Sequence, residues 1–242
     1  MGFLDLELAT GETPGPTHRS YWVAEGSAAR LAAGAYPSRS RPPEPGEMPD
    51  VTAALLEAGI DCFVNLTEDQ PGEREDWLHR YHDYVAGAAV VVAHPIVDVT
   101  VPSVDEMITA LDSIDGHLRA GSGVYTHCWG GKGRTGTVVG CWLVRHDYAS
   151  PEDALFVLDQ IRRGDIGAGD ESSPSIPDQG AFVGSWSFRV DPKCVTFSSA
   201  PVFTVTRTGI ATLVFAIVFK TTRIFVSLSF DTVGLLGIIA TV

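Results

Sequence analysis

Apolar residues over the first 190 positions form two kinds of run, short continuous stretches and stretches with helical spacing. The continuous stretches, typical of buried strands, lie at residues 60–68, 89–98 and 123–127. Helical spacing, with capping residues at several ends, predicts helices at 51–58, 71–84, 103–121, 134–146, 150–163 and 177–186. Strands that alternate with helices predict an α/β fold with a central, mostly parallel sheet flanked by helices.

The segment before the first predicted helix has a different composition. Its forty-odd residues are rich in Pro, Gly and Ser, and we expect them to wrap irregularly around the domain. The helix that follows has Asp50 as a candidate N-cap and Gly59 at its end. Ser103 and Glu106 have the spacing of a capping box and mark the start of another helix.

The C-terminal residues form a second compositional part, so we predict a domain at residues 1–190 and a hydrophobic tail at 191–242. From residue 195 onward the charged residues are Arg207, Lys220, Arg223 and Asp231. Three interpretations stay open for this tail. Residues 209–242 could contact a membrane through a C-terminal anchor, the β-branched and aromatic residues could form packed strands, or a shifted reading frame could explain the break.

Charge and cysteine content exclude several classes of protein. The formal net charge is −13, from 30 acidic and 17 basic residues, so a nucleic-acid partner is not expected. Four cysteines in 242 residues do not form a disulfide scaffold. The acidic N-terminus lacks the pattern of a signal peptide, and we therefore expect a cytoplasmic protein, membrane-associated only if the tail is an anchor.

One Gly-rich segment, VYTHCWGGKGRTGTVV at residues 124–139, carries the candidate chemistry. A predicted strand ends at His127 and Cys128, and Arg134 opens the next helix. The glycines between Cys128 and Arg134 let consecutive backbone N–H groups point at one anion, and the helix N-terminus adds positive charge. These donors would favour a thiolate at Cys128. The residues expected to bind a phosphate group are Trp129, Gly130, Gly131, Lys132, Gly133 and Arg134.

The pattern His127-Cys128-x5-Arg134-Thr135-Gly136 resembles the phosphate loop of the cysteine-based protein tyrosine and dual-specificity phosphatases. The resemblance extends from about Tyr21 to Trp186 and implies a protein-tyrosine-phosphatase-like fold. It also implies that Cys128 is the nucleophile, Arg134 binds the transferred phosphoryl group, Thr135 helps the thiolate to leave and His127 orients the loop. Neither a metal nor another cofactor is expected.

Two further catalytic residues follow from the same resemblance. The family has a general acid on a loop upstream of the nucleophile, and Asp98 has the matching position, after a strand and before a capped helix. Asp105 is the alternative, although acidic residues are common in a first helical turn. In several branches of the family a Gln positions the hydrolytic water, and Gln179 in SPSIPDQGAFV matches it.

The substrate is less well defined than the chemistry. The chain lacks the Lys-Asn-Arg-Tyr stretch of the tyrosine-specific enzymes, which favours a shallow, dual-specificity-like site. Lys132 resembles a lysine of the tensin-related phosphoinositide phosphatases, but Trp129 stands where those enzymes have a second lysine. We expect a phosphorylated protein, with phosphotyrosine first, and a phosphoinositide or other small phosphoester second. A non-catalytic phosphate-binding domain and a rhodanese-like sulfurtransferase are the remaining alternatives.

Overall fold

The computed structural model describes residues 5–38, 50–68 and 80–187, together with the backbone of four strands beyond residue 200. The chain divides into two compact units, Met1–Val190 and Asp191–Val242, and each is described by itself.

The first unit is built on a six-stranded mixed sheet. Its strands are β1 (Glu7–Leu8), β2 (Ser20–Glu25), β3 (Arg30–Gly34), β4 (Cys62–Asn65), β5 (Val90–Ala93) and β6 (Gly123–His127). The order across the sheet is β1-β2-β3-β6-β4-β5. The pairs β3–β6, β6–β4 and β4–β5 are parallel, whereas β1–β2 and β2–β3 are antiparallel. The central part of the sheet is therefore parallel, as predicted, with β6 in the middle.

Helices cover both faces of this sheet. They are α1 (Asp50–Glu57), α2 (His82–Val85), α3 (Val104–Arg119), α4 (Gly133–Arg145), α5 (Ala154–Arg162) and α6 (Pro177–Gly184). Alternate residues of one strand belong to different apolar clusters. Leu31 and Ala33 of β3 pack in a cluster with α3 to α6, whereas Ala32 between them packs in a second cluster with α1 and α2. The sheet is thus the middle layer of three.

The expectation of irregular structure before residue 50 is wrong, because β2 and β3 form an antiparallel hairpin there. β3 has the sequence RLAAG, and Ala and Gly are scarce in strands. Its place between β2 and β6 leaves residues 31–34 buried, however, and small side chains fit such a position. The tertiary environment, rather than local propensity, makes this segment a strand.

The helices predicted from capping residues are present. Ser103 accepts a hydrogen bond from the N–H of Glu106, and the Glu106 side chain accepts one from the N–H of Ser103, which completes the capping box of α3. Gly59 ends α1 with φ of 82°, a conformation that favours glycine. Of the helix predicted at 71–84, residues 71–79 lie outside the described residues, and α2 covers its end.

The second unit contains a four-stranded antiparallel sheet of order β10-β9-β8-β7. Its strands are β7 (Val202–Val205), β8 (Ala211–Phe219), β9 (Thr222–Phe230) and β10 (Leu236–Thr241). What this unit does stays a prediction. In the part of the chain that the structure describes, no helix has the length and apolar character needed to cross a membrane.

A buried carboxylate joins α3 to the C-terminal end of α4. Asp115 Oδ1 lies 3.1 Å from Trp142 Nε1 and 2.8 Å from His146 Nε2, and Asp115 Oδ2 lies 3.1 Å from Arg145 Nε. The Asp115 side chain is fully buried, so its charge depends on these partners. Asp112 also forms an ion pair with Arg145 but is 59% exposed.

We expect Asp115→Asn to lower the free energy of unfolding by about 2–4 kcal/mol, because the variant leaves Arg145 without its buried counter-ion. Urea denaturation measures this loss. Asp112→Asn is the matched control, since it removes an exposed partner of the same arginine and should cost less than about 1 kcal/mol. Equal losses in the two variants would contradict the importance of the buried pair.

Candidate active site

The candidate nucleophile lies at the centre of the sheet's carboxyl edge. β6 ends at His127, Cys128 follows directly, and α4 begins at Gly133. Because β6 lies between two parallel neighbours, the loop after it is flanked by the ends of β3 and β4. Cys128 is 3% exposed, so the walls of the site limit access to its sulfur.

The loop from residue 129 to 133 packs tightly against the end of β3. Gly131 has φ of 75°, and a Cβ there would lie 2.5 Å from the backbone N of Ala35. Any larger residue would therefore push the loop away from β3. The Trp129 carbonyl accepts a hydrogen bond from the N–H of Tyr36 (3.1 Å), and the Gly130 carbonyl accepts one from Arg19 (2.9 Å).

These carbonyl contacts leave the amide groups of the loop available. No hydrogen bond among the described residues uses the N–H groups of residues 129–131 as donors. The N-terminus of α4 begins two residues later and adds its own amides. A ring of N–H donors beside a helix N-terminus is an anion-binding arrangement.

Arg134 connects this loop to the loop that carries Asp98. The Arg134 side chain is 2% exposed, and its NH2 group lies 3.0 Å from Asp98 Oδ1. Its NH1 group donates to the carbonyl of Ile96 at 3.1 Å. The structure therefore brings the predicted general acid to the predicted phosphate-binding arginine. The alternative acid, Asp105, lies exposed in the first turn of α3.

The loop that carries Asp98 has a strained backbone. Val99 has φ of 59°, in the left-handed region that a β-branched residue rarely adopts. Asp98 Oδ1 accepts the N–H of Val99 at 3.0 Å, and Glu68 accepts the N–H of Asp98 at 2.9 Å. These two hydrogen bonds hold the Asp98 carboxylate on the side of the loop where Arg134 lies.

Gln179 contacts both loops from α6. Its Nε2 donates to the carbonyl of Thr100 at 2.9 Å, next to the Asp98 loop. Its Oε1 is buried without a hydrogen-bond partner and lies 3.1 Å from the position that a Cβ on Gly133 would occupy. A buried acceptor of this kind can hold a water molecule at the edge of the site.

His127 is buried behind the loop as a neutral ring. Burial lowers the pKa of His127 to about 3. Its Nδ1 lies 3.3 Å from the Cys128 carbonyl, which can only accept, so Nδ1 carries the hydrogen. Nε2 then accepts the hydroxyl of Tyr81 at 2.7 Å, and burial raises the pKa of Tyr81, which keeps that donor protonated.

The described contacts of Thr135 and Trp129 are not those that their expected roles require. Thr135 is expected to contact the Cys128 sulfur, and Trp129 is expected to bind a phosphate group. The Thr135 hydroxyl lies 3.4 Å from the Gly34 carbonyl, and the described contacts include none with the Cys128 sulfur. Trp129 stacks on Tyr36, with ring centroids 4.9 Å apart and planes 28° apart. In this structure the indole packs against the protein at the rim of the site.

Several residues that shape the site were not found by sequence reasoning. Tyr81 holds His127, Arg19 holds the Gly130 carbonyl, and Glu171 forms an ion pair with Lys132. Each is far from its partner along the chain, and no local motif marks it. Within the described residues, no group of three or more His, Cys, Asp or Glu side chains could hold a metal ion.

The six-stranded sheet and the strand–loop–helix segment at its carboxyl edge form an α/β domain with an anion-binding arrangement at that edge. Residues 40–148 match the family model described as "Polymorphic toxin system, DSP-PTPase phosphatase". This match covers less than half of the chain and supports the resemblance to the cysteine-based protein tyrosine and dual-specificity phosphatases that the loop motif predicted.

Individual relatives cover parts of the chain. It is 33% identical over 108 residues to protein 067L of Invertebrate iridescent virus 3, which is named as a tyrosine phosphatase. It is 30% identical over 120 residues to the phosphatidylglycerophosphate phosphatase PTPMT1 of Arabidopsis thaliana. These matches cover 43% and 50% of this chain but only 42% and 33% of the two relatives.

A solved structure of a kinase-associated phosphatase, with its catalytic-site cysteine replaced by serine, has the same fold. The TM-score is 0.51 at 21% sequence identity, and the match covers 71% of this chain and 93% of that one.

The buried His127 makes stability depend on pH. Its pKa is about 3 in the folded protein and about 6.5 in the unfolded chain, so only the unfolded state binds a proton between these values. Stability should therefore fall as the pH drops below about 6.5, by up to roughly 1.4 kcal/mol per pH unit from this residue. Urea denaturation between pH 7 and pH 4 measures the slope. His127→Gln should show a shallower slope, and identical slopes would contradict the prediction.

Proposed function

We propose that this domain hydrolyses phosphate monoesters through a cysteinyl-phosphate intermediate. The observation that carries the proposal is the contact between Arg134 and Asp98. It joins the loop that begins at Cys128 to a carboxylic acid on a separate loop, with 3.0 Å between the two charged groups. This contact supports a site in which a nucleophile, an anion-binding loop and a proton donor act on one phosphate group.

In the first step the Cys128 thiolate attacks phosphorus, and the bond between phosphorus and the ester oxygen breaks. The loop amides and the Arg134 guanidinium bind the non-bridging oxygens and stabilise the charge on them. Arg134 NH2 is paired with Asp98 in this structure, and the phosphate brings a competing negative charge to the same guanidinium. Asp98 is thereby released from Arg134, takes up a proton from the solvent, and gives that proton to the departing oxygen.

In the second step water attacks phosphorus, and the phosphorus–sulfur bond breaks. Asp98, now ionised, takes a proton from this water, and inorganic phosphate and the Cys128 thiolate are the products. Gln179 positions the water through its unpartnered Oε1. Thr135 lies in the first turn of α4, and its hydroxyl is the proposed hydrogen-bond donor to the leaving thiolate.

His127 acts as a positioning residue in this mechanism. Its Nδ1–H contacts the Cys128 carbonyl, and its low pKa keeps the ring neutral across the physiological range. It therefore orients the start of the loop and takes no part in proton transfer.

A phosphorylated protein, with phosphotyrosine first, is the proposed substrate. The Trp129–Tyr36 stack gives one rim of the site an aromatic surface, which suits an aryl ester. The description of the matching family model names a polymorphic toxin system. A toxin with this chemistry would act by removing phosphate groups from phosphorylated molecules of the target cell. The second candidate is a phosphoinositide or other small phosphoester. Two observations favour it: the plant relative is named as a phosphatidylglycerophosphate phosphatase, and the loop contains Lys132.

Cys128→Ser should abolish hydrolysis of para-nitrophenyl phosphate while binding of phosphate or vanadate survives, because serine is a much weaker nucleophile on an intact loop. Released nitrophenol and calorimetric titration measure the two properties. Cys62→Ala is the matched control, since burial in β4 raises the pKa of that thiol to about 12 and it lies outside the site. If wild type binds phosphate without turnover, the domain is a non-catalytic phosphate-binding module instead.

Asp98→Asn should lower kcat for phosphotyrosine by roughly 10²–10⁴-fold, because a phenolate needs a proton to leave. The loss should be smaller for para-nitrophenyl phosphate, whose nitrophenolate leaves more easily. The decline of the wild-type rate at high pH should also disappear. Asp105→Asn, in the first turn of α3, is the control and should retain the wild-type pH profile. If Asp105→Asn lost the decline at high pH and Asp98→Asn kept it, Asp105 would be the general acid instead.

A further inference from the structure

The segment at residues 165–173 contacts both basic side chains beside the phosphate loop. Asp165 Oδ1 lies 3.2 Å from Nε of Arg19, whose NH2 group donates to the Gly130 carbonyl. Glu171 forms an ion pair with Lys132, the lysine of the loop itself. Each of the two cations therefore has its own carboxylate from one segment of the chain.

The Lys132–Glu171 pair is held by more than two flexible side chains. The Ser173 hydroxyl donates to the Lys132 carbonyl at 2.8 Å, so the same segment also holds the lysine's backbone. The Glu171 carbonyl accepts a hydrogen bond from the buried Arg162, which also donates to the Ala168 carbonyl at 2.8 Å. Glu171 is thus presented to Lys132 from an anchored backbone, and the hydrogen bond from Lys132 lowers the pKa of its carboxyl group.

These ion pairs determine how much positive charge remains beside the loop for a second phosphate group on the substrate. Arg134 and the amides supply the donors for the phosphoryl group, whereas Lys132 and Arg19 are already neutralised. A second phosphate on the same substrate would need a free cation near Lys132. A second phosphate near Lys132 would instead lie close to the Glu171 carboxylate, and these two negative charges repel each other.

We propose that Glu171 is a specificity-determining residue that neutralises Lys132 and so selects substrates with a single phosphate group against those with a second phosphate beside the scissile one. This inference rests on the proposed phosphatase function and narrows its substrate class. The family model matches residues 40–148, a range that contains Lys132 but not Glu171, Asp165 or Arg19. The presence of a lysine at position 132 therefore does not by itself give the net charge beside the loop.

The test compares one and two anionic groups on the same small scaffold. Methylphosphonate and methylenediphosphonate are not hydrolysed, and their inhibition constants against para-nitrophenyl phosphate give a ratio for each variant. Glu171→Gln should shift this ratio toward the diphosphonate by roughly three- to tenfold, because it removes the repulsion and frees Lys132. Asp170→Asn removes the same charge from the exposed neighbouring residue and should leave the ratio unchanged.

A double variant separates release of Lys132 from a general change in charge. In a Lys132→Met background, Glu171→Gln should produce little further shift, because there is no ammonium group to free. An unchanged ratio in Glu171→Gln, or an equal shift in Asp170→Asn or in the Lys132→Met background, would overturn the proposal. Calorimetric binding of the two phosphonates gives the same ratio without turnover, so a failure of the phosphatase function is recognised separately.

A second phosphate can come from a lipid headgroup or from a doubly phosphorylated peptide. Short-chain inositol lipids and phosphotyrosine peptides, each with one and with two phosphate groups, distinguish these sources. Reduced discrimination by Glu171→Gln in either series supports the proposal, and unchanged discrimination in both series contradicts it.

Discussion

The site depends on one buried cation, the Arg134 guanidinium. A charge that is 2% exposed needs a partner of opposite charge, and in this structure Asp98 is that partner. The contact fixes the loop that follows β5 relative to the loop that follows β6, and the carbonyl of Ile96 accepts a hydrogen bond from the same arginine. In the proposed mechanism, Asp98 and a substrate phosphate compete for one guanidinium, so phosphate binding and the position of the general acid are linked.

The helix that carries Arg134 is held at both ends by polar contacts. Every residue of α4 from Arg134 to Val144 is buried, so the helix has little freedom to shift within the domain. Its N-terminus faces the phosphate loop, and its C-terminal end is held through Asp115 to Trp142, Arg145 and His146. A rigid helix helps to hold the loop in place, and such preorganisation is what the proposed binding and stabilisation of a phosphoryl group require.

How much of this could be predicted differs between the sheet, the loop and the surrounding residues. The alternation of strands and helices follows from local patterns, and the loop motif follows from ten consecutive positions, 127–136. The hairpin β2–β3 was missed because Ala and Gly form a strand there only when they are buried between neighbours. The partners of the loop could not be predicted, because Tyr81 is 46 residues from His127, Glu171 is 39 from Lys132 and Arg19 is 111 from Gly130.

The overall charge and the local charge of the site act over different distances. A net charge of −13 repels an anionic substrate at long range, but salt screens charges separated by more than about 8–10 Å. Inside the loop the donors are backbone amides, a helix N-terminus and one buried arginine, and water screens these much less. Because Asp165 and Glu171 neutralise the other nearby cations, attraction within the site is concentrated on a single phosphoryl group. Under the proposed role of Glu171, specificity depends on fitting one phosphate into the loop rather than on collecting negative charge.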